Sequence, residues 1–138
     1  MQVRRIHPDA KLPERQTPGS AGYDISCVEG QTIAPRAHAL FRTGLALRVP
    51  QGTYGQIAPR SGLSTRGIDV GAGVIDQDYT GEVRVLLRNH SDAEVCINAG
   101  DRIAQLIVKK IEFPQVQRVL QLPEMTQRGE GGFGSTGA

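Results

Sequence analysis

The chain has 138 residues, 38% of them hydrophobic and only 4% aromatic, and carries a formal net charge of +2 at pH 7. That length holds one domain with a modest core, and so small a surplus of positive charge excludes general nucleic-acid or membrane-surface binding. No stretch is long and apolar enough to span a bilayer.

The basic start, residues 1–6, runs into His7-Pro8-Asp9 rather than an apolar run, so no signal peptide is expected and the chain reads as intracellular, cytoplasmic or nuclear. Residues 1–20, with His7-Pro8, Leu12-Pro13 and Pro18-Gly19, carry no usable motif. Seventeen glycines and eight prolines then cut the chain into short pieces, and no segment sustains a helical period beyond two turns. Strands are expected over 37–42 and 45–49, separated by Thr43-Gly44, and over 54–58. A single helical turn over 61–66 would be opened by a Ser61 cap and closed by Gly67. The alternation over 82–89 points Val83, Val85 and Leu87 one way, and Arg84 and Arg88 the other. Residues 103–108 are apolar on both faces except at Gln105, which predicts a central strand or a subunit interface with a buried amide in need of partners. Cys27 and Cys96 lie in separate apolar segments without CxxC spacing and read as reduced and structural. His7, His38 and His90 are isolated, which argues against a protein-built zinc site. Closely spaced turns with few aromatics indicate an all-β Greek-key or jelly-roll domain, stabilised by burying strand faces against identical neighbours.

Five segments hold polar residues that ordinary packing does not require. In residues 21–25 (AGYDI), Asp24 sits among strand formers, and a turn Asp bonded to backbone and a ligand-facing Asp are equally good readings. Residues 59–67 (PRSGLSTRG) place Ser61 and backbone N–H groups at a helix start with Arg66 close by, which suits phosphate, although a capping Ser explains the same pattern. In residues 71–82 two acids flank a turn before Tyr79. Asp76 follows Val74-Ile75, so a strand end would hold its carboxylate rigidly enough to orient a water, whereas Asp78 reads as a turn former. Residues 100–106 combine a Gly100-Asp101 turn with Gln105. The tail, 128–138, has five glycines, with Arg128 suited to phosphate and Phe133 to a base, and reads either as a closing flap for a nucleotide or as a disordered terminus. Its GEGGFG stretch satisfies GxGxxG but opens no helix, so a dinucleotide fold is excluded by context.

In this order and spacing, PRSGLSTRG, GVIDQDYTGE, GDRIAQL and RGEGGFGSTG, with AGYDI before them, resemble the five motifs of the trimeric dUTPases over residues 21–137. The resemblance implies a homotrimer of jelly-roll subunits, each with a β domain over 1–127 and a mobile arm over 128–138 that closes over an active site shared between chains. It implies hydrolysis of dUTP to dUMP and pyrophosphate, which limits uracil incorporation into DNA and supplies dUMP. Mg2+ would be bound mainly by the substrate triphosphate. Asp76 matches the carboxylate that activates water, and Tyr79 the aromatic floor under the deoxyribose. Backbone groups of Gly73, Val74, Ile75 and Asp76 would read the uracil edge. Arg60, Ser61, Gly62, Arg66 and Gln105 match the phosphate-facing segments. Asp24 resembles an acid whose link to the metal is at most through water. Arg128 would clamp the terminal phosphate, Phe133 would stack on uracil, and Gly134-Ser135 would close over the phosphates.

Two rivals follow from the same likeness. The dCTP deaminase branch uses a catalytic Glu where this chain has Leu86, which cannot carry protons. A nucleotide-sensing binding module of the same fold would show affinity without turnover.

Overall fold

The computed structural model describes residues 1–122, 126 and 129. One four-stranded sheet runs in the order β1 (Gln2–Arg5), β4 (His38–Arg48), β8 (Glu82–Asn89), β6 (Ile68–Gly71). The other runs β2 (Tyr23–Ser26), β10 (Arg102–Lys110), β5 (Thr53–Ala58), β7 (Val74–Ile75), while β3 (Gln31–Ile33) and β9 (Val95–Ile97) form a two-stranded ribbon. Every pairing between these strands is antiparallel. The one helical turn among the described residues is α1 (Ser61–Ser64).

The alternation in β8 sorts as expected: Val83, Val85 and Leu87 are buried, and Arg84 and Arg88 are exposed. They join Phe41 of β4, Ile25 of β2, Ile57 of β5 and Leu106 of β10 in a single apolar cluster. The two sheets therefore face one another as an all-β sandwich of the expected jelly-roll kind. Each such side chain, fully buried, contributes about 1.5–3 kcal/mol of hydrophobic free energy. The strand over 103–108 is central, as expected, with β2 on one side and β5 on the other.

The expected break at Thr43-Gly44 does not occur. Residues 38–48 form one strand, and its register against β8 shifts from Arg42 opposite Arg84 to Ala46 opposite Glu82. A bulge absorbs the extra residues, helped by Gly44 at φ 66. Side chains complete the hydrogen bonding that the bulge interrupts: Thr43 Oγ1 donates to Val83 O at 2.6 Å, and Glu82 Oε1 accepts the Gly44 N–H at 3.0 Å. The helix start differs too. Arg60, extended at φ −93 and ψ 137, is the N-cap without a side-chain cap bond, and Ser61 is the first helical residue. Gly67, at φ 77, does close the turn, its N–H donating to Ser64 O at 3.0 Å.

Both cysteines are free, but only Cys27 is buried; Cys96 is exposed, so a core role fits the first alone. Burial pushes the Cys27 thiol up from its ordinary range. The motif-free N-terminal stretch is structural. β1 pairs with β4, the Asp24 N–H donates to Glu14 O at 2.8 Å, and Lys11 Nζ donates to Gly100 O at 2.9 Å. Among the described residues, no helix is long and apolar enough to cross a membrane.

Candidate active site

Three of the five polar segments meet at one end of the second sheet. Gln105 of β10 lies between Asp24 of β2 and Ala58 of β5 in the strand register. Its Nε2 donates to Pro59 O at 2.8 Å. The amide is half-buried rather than fully buried, and it packs over Gly22, where a Cβ would collide with the Gln105 carboxamide. Asp24 spends both oxygens on guanidinium groups, Oδ1 on Arg60 Nε at 3.2 Å and Oδ2 on Arg102 Nη1 at 3.0 Å. Arg60 Nη1 also donates to Arg102 O at 2.9 Å. The water-linked metal contact that the resemblance implies for Asp24 would compete with two cations for the same oxygens.

From this clamp the chain enters α1, whose Leu63 is buried while Ser61, Gly62 and Arg66 are exposed. Arg66 makes no ion pair with any described residue. A polar cavity of about 250 Å³ opens here, lined by Arg60, Arg66, Cys96, Asp101 and Arg102 among others. Arg102 had no assigned part in the sequence reading. One Asp held between two Arg is its only signal, and the fold alone brings the three together.

The Asp76 segment occupies the other end of β5. Ala72 at φ 57 and Gly73 at φ 108 make the turn into β7, and the positive φ at Ala72 is strain stored next to the site. Glycine is required at 73, since a Cβ would sit 2.6 Å from Ile57 O. The Ile57 N–H donates to Gly73 O at 2.7 Å, which fixes the turn on β5. β7 is the outer strand of its sheet, so its outward backbone groups lack a partner strand. Val74 is exposed, Ile75 is buried, and Asp76 follows directly with its carboxylate exposed. Asp76 O accepts the Tyr79 N–H at 3.1 Å, closing a turn in which Asp78 is exposed, in keeping with its reading as a turn former. Tyr79 is 44% exposed, and its hydroxyl donates to Glu82 O at 2.8 Å. Val74, Asp76, Asp78, Tyr54, Ile111 and Phe113 help line a cavity of about 550 Å³.

The two groups of site residues are therefore apart within one chain. Ile75 pairs with Gly55, so Asp76 lies level with Tyr54, whereas the Arg60 clamp starts beyond Pro59. Residues 54 to 59 span roughly 16 Å at about 3.3 Å per residue, a distance that a triphosphate alone does not bridge. Arg128, Phe133, Gly134 and Ser135 lie outside the described residues.

A dUTPase family model matches residues 8–137. The chain belongs to the dUTPase family. The deoxyuridine 5'-triphosphate nucleotidohydrolase of Arabidopsis thaliana is 53% identical over 137 residues, covering 99% of this chain and 82% of that protein. The enzyme of the same name from Monkeypox virus is 49% identical over 128 residues, covering 93% of this chain and 84% of that one. Among solved structures, the dUTPase of Staphylococcus bacteriophage 80alpha with dUpNHpp superimposes at a TM-score of 0.94 with 29% identity, covering 99% of this chain and 98% of that chain. A dUTPase of phage phi11 of S. aureus, described with a structural Mg(II) ion, gives a TM-score of 0.83 with 27% identity, covering 89% and 98% of the respective chains. Within this dUTPase fold, Leu86 is half-buried in β8 opposite Leu40 and Gly71, an apolar setting without proton-transfer chemistry.

Proposed function

We propose that this dUTPase-family chain hydrolyses dUTP to dUMP and pyrophosphate, with Asp76 as the base that activates the attacking water. The observation that carries the reading is an exposed Asp76 directly after the two ladder residues of β7, with no described side chain bonded to its carboxylate. A carboxylate is a weak base at neutral pH, so its placement must supply much of the acceleration.

The other residues divide the remaining work. Backbone groups of the Gly73 to Asp76 hairpin would read the uracil edge, with Val74 on the free side of β7 while Gly73 O and Asp76 O accept the Ile57 and Tyr79 N–H groups. Tyr79, with its ring exposed and its hydroxyl tied to Glu82 O, supplies a floor against the deoxyribose that leaves no space for a 2′-hydroxyl. Ser61, Gly62, Arg66 and Gln105 face the phosphates, with Arg60 held in place by Asp24. Because the Asp76 turn and the phosphate-facing group lie apart in one chain, a second copy completes each site, as a homotrimer with shared sites requires. The tail would then bring Arg128 onto the terminal phosphate, Phe133 onto the base, and the Gly134-Ser135 backbone over the phosphate chain.

The cavity beside Asp76 holds two carboxylates, Asp76 and Asp78, among the largely apolar Tyr54, Val74, Ile111 and Phe113, oxygen donors that fit Mg2+ only together with substrate phosphates. Among the described residues no group of three His, Cys, Asp or Glu could cage a metal, so the ion would arrive on the triphosphate. When bound it neutralises phosphate charge.

Pyrophosphate release from dUTP, dTTP, dCTP and UTP, with Mg2+ present, tests the assignment. Turnover of dUTP well above the other three is expected, whereas affinity for dUTP without turnover would leave only a binding module.

A further inference from the structure

Next to Asp76 stands a residue with no role so far. Gln77 is half-buried, and its Oε1 accepts the Gly52 N–H at 2.9 Å. A backbone N–H only donates, so the amide must present its oxygen. Gly52 sits in a braced turn. Pro50 O accepts both the Thr53 N–H at 3.2 Å and the Thr53 hydroxyl at 2.6 Å, and Gly52 O accepts the Ile111 N–H at 3.1 Å just beyond β10. Gly52, at φ 73, thus holds the Asp76 turn on one side and the root of the segment leading to the C-terminal tail on the other.

We propose that Gln77 is a positioning residue for Asp76, fixing the catalytic turn to the Gly52 post through its amide oxygen. The inference rests on the reading of Asp76 as the base. The ladder holds only Val74 and Ile75; beyond them the turn is tied locally by the Tyr79 N–H on Asp76 O and the Tyr79 hydroxyl on Glu82 O and, among the described residues, to a distant segment by this one side-chain bond. Consecutive Cα atoms are about 3.8 Å apart, so a shift of Gln77 is transmitted to Asp76. Misplacement by an ångström can cost up to about a hundredfold in rate.

The test compares Gln77→Met, which keeps length but offers only a weakly accepting thioether, with Gln77→Glu, which keeps a carbonyl-type oxygen acceptor. Steady-state hydrolysis of dUTP at a pH where all carboxylates are ionised is expected to show a kcat at least about threefold lower for Gln77→Met, with KM unchanged, and a return to near wild-type kcat for Gln77→Glu. Gly52 amide hydrogen exchange should quicken in Gln77→Met and stay slow in Gln77→Glu. An unchanged kcat in Gln77→Met, a loss confined to KM, or an equal loss in both variants would each overturn the proposal. Asp76→Asn is run alongside. If that variant retained turnover, the base assignment would fall by itself, while a loss there with Gln77→Met unaffected would remove only the positioning role.

Discussion

Asp24 and Arg60 meet at 3.2 Å across the ends of β2 and β5, and the same carboxylate reaches Arg102 at 3.0 Å. One side chain therefore ties together three segments that lie far apart in the chain. Its side chain is 16% exposed, so the two ion pairs are only partly screened by water.

Asp24→Asn keeps the shape and removes the charge that holds both guanidinium groups. The expected loss is about 1–3 kcal/mol of stability, the scale of hydrogen bonds to charged groups left without their partner. Urea unfolding of the variant against the wild type measures it, and dUTP turnover should fall as well because Arg60 loses its seat. Wild-type stability and turnover together would mean that the clamp is idle.

Tyr79→Ala removes the surface assigned to the sugar while leaving β7 intact. The ratio of kcat/KM for dUTP over UTP should fall by about tenfold or more, equivalent to about 1.4 kcal/mol of discrimination. Equal losses on both nucleotides, with the ratio preserved, would count against a sugar-reading role.

Much of this architecture is legible in the residues. The β8 alternation, the strand end before Asp76 and the turn ended by Gly67 all follow from local pattern. What local pattern misses are features set by contacts distant in sequence. Thr43-Gly44 reads as a break, yet Val83 O and the Glu82 carboxylate, about forty residues on, stabilise a bulge inside one strand. Ser61 reads as a cap, but Arg60 is drawn into the extended N-cap position by its bonds to Asp24 and Arg102 O. Gln105 reads as buried because its neighbours are apolar, yet it is half-buried, and the Gly22 against which it packs lies far away in sequence. The phosphate-facing residues and Asp76 adjoin through motif order in the sequence, whereas the fold sets them at opposite ends of β5.

The proposed donation of the tail between chains has its own consequence. Chains carrying Asp76→Asn and chains truncated after Gln127 should each be inactive, yet complement when co-assembled into trimers. Random one-to-one mixing makes three quarters of the trimers mixed, each with one intact site in three, so roughly a quarter of wild-type activity is expected. Trimers confirmed by light scattering that stay at background would refute a tail donated between chains.

The central claim is that Asp76 does the chemistry, and Asp76→Asn is its most direct measurement. The amide preserves the shape but cannot take a proton. Single-turnover hydrolysis of dUTP should slow by about 10²–10⁴-fold, the range for loss of a general base. Affinity for the non-hydrolysable dUpNHpp should stay within about tenfold, or about 1.4 kcal/mol. Single-turnover rates near those of the wild type, with binding intact, would contradict the account.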